Sequence, residues 1–207
     1  MKKRIITIAT VCCLIALCVA GVAYAYLKDT DSKTVVFTSG MVDGTLTTAE
    51  LPTSSTKVYP CQTFAASPVV AITNDSEDAI AFIEFEYPVN TSVTTYSSNG
   101  TALHDGVLFS TVDVDEDWIE LDVTPANVPN GYARVVYGYT DRLTSTNKTA
   151  DAAFDSFQAA NFEQSSAVVS GNVRIIADLI QANGISDSDN MAKATLENAY
   201  AKFTTNK

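Results

Sequence analysis

Apolar and polar positions along this chain follow three successive rhythms. An uncharged run from Ile5 to Ala25 comes first, behind Lys2, Lys3 and Arg4. Short β-branched and aromatic stretches follow, cut by turn residues. Last comes a stretch in which Ala192, Leu196, Ala199, Tyr200 and Phe203 recur at helical spacing. The middle stretches predict strands at 35–42, 69–72, 79–89, 106–114, 118–123, 132–139 and 173–182. Asn74-Asp75-Ser76, Asp115-Glu116-Asp117 and Pro129-Asn130-Gly131 supply the turns between them. In the longest stretch Ile83, Phe85 and Tyr87 alternate with Glu84 and Glu86, which predicts a strand with one acidic, solvent-facing side. Pro88 is expected to end it or to mark an edge.

Two regions are less regular. Residues 90–106, rich in Thr, Ser, Asn and Gly, predict a long loop with room for a short hairpin. Residues 150–162 fit an amphipathic helix by propensity, with Phe154, Phe157 and Asn161 on one side. A final helix is expected from about Asp189 to Phe203, capped by Ser186-Asp187-Ser188. Regularly spaced short strands with little helix imply a mostly β chain: a single antiparallel β-sandwich with a short C-terminal helix.

The basic start, the apolar run and the small-x-small ending Ala23-Tyr24-Ala25 form the pattern of a secretory signal peptide, cut between Ala25 and Tyr26. The run is long enough to span a bilayer, so a retained anchor is the alternative. Its last residues are small, however, and Lys28 is followed by acids rather than by a basic stop signal. A lipoprotein reading would use Cys18, but Leu17 is bulky for the position before it. The partition expected is a signal at 1–25 and one domain at 26–207, with membrane contact only before cleavage.

Export changes the meaning of charge and cysteine content. Residues 1–25 hold three of the 13 basic residues and none of the 24 acids, so the remainder carries 10 against 24, a net charge of −14. A surface this acidic repels nucleic acid and anionic lipid. Three of the four cysteines lie at 12, 13 and 18, leaving Cys61 alone. One cysteine forms no internal disulfide, so the fold must rest on its hydrophobic core. Cys61 is expected to be a half-buried, inert thiol, with a cross-link between subunits or a reactive thiol as the alternative.

Candidate chemistry is sparse. His104 is the single histidine, which rules out a His-x-x-x-His zinc motif and leaves a Ser-His-Asp triad without motif support. Asp113-x-Asp115-x-Asp117 has the spacing of a calcium loop, but Trp118 and Thr124 stand where an EF-hand needs Gly and Glu. A solvated acidic turn is the default reading there, and a weak calcium contact the alternative. Asn74, Asn90, Asn99 and Asn147 begin Asn-x-Ser/Thr triplets of the kind that arise by chance in so polar a chain. No cofactor and no catalytic residue is expected.

The residues behind the cut carry a resemblance. Ala25, Tyr26-Leu27, Asp29, Ser32-Lys33, Phe37 and Ser39-Gly40-Met41-Val42-Asp43 resemble the start of mature proteins of the TasA/camelysin (CalY) family, which Gram-positive bacteria export through the signal peptidase SipW. Val58-Tyr59-Pro60-Cys61-Gln62 followed by Pro68-Val69-Val70 is similar to the family's V-x-P-G-Q … P-x-V entry to the second strand, with Cys61 in place of Gly. Residues 175–184 are similar to the last strand of clostridial relatives, an alignment in which Phe154 to Phe157 is extended rather than helical. The resemblance implies a jelly-roll-like sandwich that forms matrix or cell-surface fibres with copies of itself and with a related matrix protein. It also implies an assembly strand marked by Leu27, Val35, Phe37, Gly40 and Met41, which completes the sheet of a neighbouring subunit. Pairing of that strand within its own subunit stands as the equal alternative. Camelysin-like proteins have also been described as cell-surface metallopeptidases, which gives an enzyme reading, and an exported adhesin or binding module is a third.

Overall fold

Two-sided burial, rather than the alternation of one strand, organises this chain. The structure, a computed structural model, describes residues 35–38, 42–52, 56–89, 94–96, 102–105, 109–125, 127–162, 167–168, 172–185 and 190–205. The expected signal peptide, the cleavage residues Ala23, Ala25 and Tyr26, the strand residues Leu27, Gly40 and Met41, and the cap at 186–188 lie outside them.

The described chain is mostly β. A five-stranded sheet has the order β1-β15-β6-β11-β10, built from β1 (Val35–Thr38), β6 (Ala79–Pro88), β10 (Trp118–Glu120), β11 (Tyr132–Tyr139) and β15 (Arg174–Gln181). Three-stranded groups form from β4 (Thr63–Ala65), β12 (Phe154–Ala159) and β9 (Phe109–Val114), and from β13 (Asn161–Phe162), β7 (Thr94–Tyr96) and β8 (Ala102–Asp105). Two pairs complete the set: β14 (Ala167–Val168) with β3 (Lys57–Val58), and β2 (Gly44–Thr47) with β5 (Val69–Ile72). Helix α1 (Lys193–Thr205) is the C-terminal element. Every described strand pair is antiparallel except β1 with β15, which is parallel and departs from the all-antiparallel expectation.

All ten residues of β6 are buried, Glu84 and Glu86 included. The expected solvent-facing acidic side is therefore wrong. One side of the sheet packs Ala81, Ile83, Phe85, Tyr137, Ile175 and Leu179 against Phe109, Phe154 and Phe157 and the aliphatic residues of β3 and β5. The other packs Ile80, Phe82, Val136 and Ile180 against Leu196, Ala199, Tyr200 and Phe203 of α1. Gly138 lets the helix approach, since a Cβ there would stand 3.1 Å from the Leu196 Cδ1. Glutamates alternating with apolar residues read as surface only when no second layer covers them, and here α1 does.

Residues 150–162 are not helical. Phe154 to Ala159 is β12, as the extended alternative had it. The three-residue spacing of Phe154 and Phe157 imitates a helix because β12 is irregular. Asp113 on its partner has φ 56°, and the ladder omits the Asp113–Asp155 pair. Both rings consequently reach Phe85, at centroid distances of 5.6 and 5.0 Å. The region 90–106 contains the β7–β8 hairpin, with His104 in β8 opposite Thr95 rather than in a loop.

Candidate assembly edge and its buried charge layer

The N-terminal strand lies at one end of the five-stranded sheet. Val35, Val36, Phe37 and Thr38 pair with Ala177, Asp178, Leu179 and Ile180. Of the proposed strand residues, Val35 and Phe37 thus lie in one strand and in register with Ala177 and Leu179. The pairing is made at home, within the chain. Among the described residues it spans four residues and has one neighbour, where β6 spans ten and has two. Parallel ladders are slightly weaker per residue than antiparallel ones.

The partner strand of β1, β15, is held firmly. On the aromatic side Leu179 is fully buried against β2, where a Cβ on Gly44 would lie 2.4 Å from its Cδ1 and 2.5 Å from the Ala71 carbonyl oxygen. Only glycine fits there. On the helix side β15 contributes to a layer of charge. Glu86 on β6 stands in register between Arg134 on β11 and Arg174 on β15. Arg134 donates from Nε to Glu86 Oε2 at 3.1 Å and also pairs with the same oxygen through its terminal nitrogen. Its other terminal nitrogen pairs with Glu84 Oε2 at 2.7 Å. Arg174 pairs with Glu86 Oε1 and lies over the Tyr132 ring, 5.6 Å from its centroid.

Helix α1 joins this layer. The Tyr200 hydroxyl donates to Glu84 Oε1 at 2.6 Å. Burial and the neighbouring Glu84 carboxylate push the Tyr200 hydroxyl far above the usual tyrosine range. The Arg134 guanidinium loses from burial but gains more from Glu84 and Glu86, so its charge is reinforced. Asp178, fully buried, occupies the same layer one cross-strand row further along, opposite Phe82 and beside Val36 in register. Carboxylates this far from water persist where paired cations hold them. A missed signal was available: Arg134 and Arg174 are the basic residues inside strand-like stretches, and they match the two glutamates inside another.

The remaining candidates stand apart. Cys61 is exposed, not half-buried. It is the third residue of a turn closed by the Gln62 amide donating to the Tyr59 carbonyl at 3.1 Å, and its φ is 58°. That turn type puts Pro second and Gly third, so Cys61 fills a glycine conformation. Asp115 caps the acidic turn by accepting from the Asp117 amide at 2.9 Å. Desolvation, then Asp115, Asp141, Glu116 and Asp151, raises the Asp117 carboxyl above its ordinary range. Among the described residues no group of three or more His, Cys, Asp or Glu is arranged to hold a metal ion. Lys148 Nζ donates to Asn74 Oδ1 at 2.6 Å, joining two of the Asn-x-Ser/Thr sites at the surface. Among the described residues no helix is long and apolar enough to cross a membrane. Comparison of the chain with protein-family models, with curated proteins and with solved structures finds no match.

Proposed function

We propose that this chain is an exported structural protein, a subunit of an extracellular matrix or cell-surface fibre that assembles with copies of itself by β-strand addition. In this reading the five-stranded sheet and the smaller sheets form a jelly-roll-like sandwich of the TasA/camelysin kind. A SipW-type peptidase releases it by cutting after Ala25, and the freed segment from Tyr26 to Met41 is the exchangeable strand. A related matrix protein is a further partner.

The observation that carries the reading is the place of β1. It is the first described strand, it lies at the end of the sheet order, and one parallel ladder of four residues holds it. Removing such a strand opens one sheet edge and breaks no connection between the other strands. The exposed β15 edge then offers main-chain donors and acceptors to the same strand of a neighbour. The positive φ of Cys61 supports the resemblance, because glycine, the residue the family has there, adopts that conformation readily.

The test is assembly of the exported form, residues 26–207. Electron microscopy and light scattering are expected to show filaments, and deletion of Tyr26 to Phe37 to abolish them. A chain that stays monomeric at high concentration across pH and salt would contradict the proposal.

A further inference from the structure

The five-stranded sheet poses a register problem. A strand with one buried face is pinned by alternation, because a one-residue slip turns its apolar residues to solvent. In β6 every residue is buried, and in β15 only Arg174, Ile176 and Gln181 are partly exposed. Apolar residues occur on both sides: Ile175, Ala177 and Leu179 towards the aromatic core, Ile180 towards α1. For such strands apolar burial alone separates the alternatives weakly. The charged residues separate them sharply.

We propose that the Arg134–Glu86–Arg174 row is the register key of β15, and through β15 of whatever strand docks on it. The importance of this for assembly rests on the reading of β1 as an exchangeable strand. A slip of one residue would carry Asp178 and Arg174 to the aromatic side, among Phe85, Phe154 and Phe157. A slip of two in one direction would set Asp178 opposite Glu84, two carboxylates in a buried row. The opposite slip would bring Arg174 to Glu84, leave Glu86 facing Asn172, and put Asp178 opposite Ile80. Only the observed register places a guanidinium on each side of Glu86 and keeps Asp178 away from both glutamates. A buried polar group that costs stability and selects one register has precedent in the core asparagines of coiled coils. The row is a positioning device: it keeps the acceptor edge single-valued whether β1 of the same chain or of another occupies it.

The test is disulfide trapping within the monomer. In the full chain with its four natural cysteines changed to Ser, Ala177→Cys is combined either with Ile83→Cys, its observed partner, or with Ala81→Cys, its partner after a two-residue slip. Diagonal neighbours stand roughly 7–8 Å apart, near or beyond disulfide reach. With the native row, the first pair is expected to cross-link and the second to stay reduced. With Arg134→Met, Glu86→Leu and Arg174→Met together, the Ala81→Cys cross-link is expected to rise at least tenfold while circular dichroism still shows a folded β chain. If the triple variant does not fold, Arg174→Met alone, at a partly exposed site, is read in the same way, with a measurable slipped product expected. A folded variant that cross-links only at Ile83→Cys overturns the proposal. Because the readout is intramolecular, it stands or falls separately from filament formation.

Discussion

The centre and the edge of the five-stranded sheet differ in almost everything that governs persistence. At the centre, β6 has ten buried residues, antiparallel neighbours on both sides, an apolar layer above and below, and ion pairs through Glu84 and Glu86. At the edge, among the described residues, β1 has four residues and a single parallel neighbour. Local opening free energies in one protein range from near zero to the global value, following burial and pairing. The comparison predicts a sheet whose centre opens only on global unfolding while its end strand can leave alone. Strand addition requires that combination: a fixed receiver and a releasable donor.

The largest effect is expected from breaking the centre. Glu86→Ala would leave Arg134 and Arg174 facing each other's charge across β6 without the carboxylate between them. Removing one partner of a buried pair costs about 3–5 kcal/mol, and denaturant unfolding should record it as a lower midpoint. Alkaline pH attacks the same region. Burial pushes the Tyr137 hydroxyl up to about 12, against the lowering effect of its bond with Thr111, and the hydroxyls of Tyr87 and Tyr139 are raised by burial as well. A group with a raised folded value adds stability that is complete below the unfolded value of 10.0 and is lost as pH rises through the folded value. Stability measured by thermal melting is expected to fall between pH 10 and about 12, with little titration of Tyr87, Tyr137 and Tyr139 before unfolding. Normal titration of all tyrosines in the folded protein would contradict the packing described here.

A smaller effect is expected beside the edge. Gly44→Ala drives a methyl group into Leu179 and the Ala71 carbonyl. Overpacking of this kind costs about 1–3 kcal/mol. Because Leu179 belongs to the receiving strand, hydrogen exchange at β15 amides should quicken more than at β6 amides. The smallest effect lies away from both regions. Cys61→Gly relieves a positive φ at an exposed turn and should raise stability by about 0.5 kcal/mol, a net of relieved strain and added chain entropy in the unfolded state. It should leave filament formation unchanged.

Much of this comparison was legible in the sequence, and the unreadable part has a physical cause. The strands Val69–Ile72, Ala79–Pro88 and Tyr132–Tyr139 were marked by β-branched runs and turn residues, which act locally. The last strand and the C-terminal helix were legible for the same reason. The burial of Glu84 and Glu86 was not, because the arginines that neutralise them lie 48 or more residues away along the chain and Tyr200 of α1 reaches Glu84 from the far end. Nor was the extended form of Phe154 to Ala159 fixed by its own pattern: its ladder with β9 skips the pair at Asp113, which has a positive φ, and both Phe154 and Phe157 are buried. The candidate assembly edge was half legible. The residues Val35 and Phe37 pointed to a strand, but a parallel pairing with β15, some 140 residues on, leaves no trace in either segment.

The most direct test of the exchange account locks β1 in place. In the exported form with Cys61→Ser, Val35→Cys and Ala177→Cys occupy paired positions of β1 and β15. Electron microscopy is then compared for the oxidised and the reduced protein at equal concentration. The account predicts filaments only after reduction, since the oxidised strand cannot leave its own sheet. Equal filament formation in both states would show that β1 is not the strand exchanged.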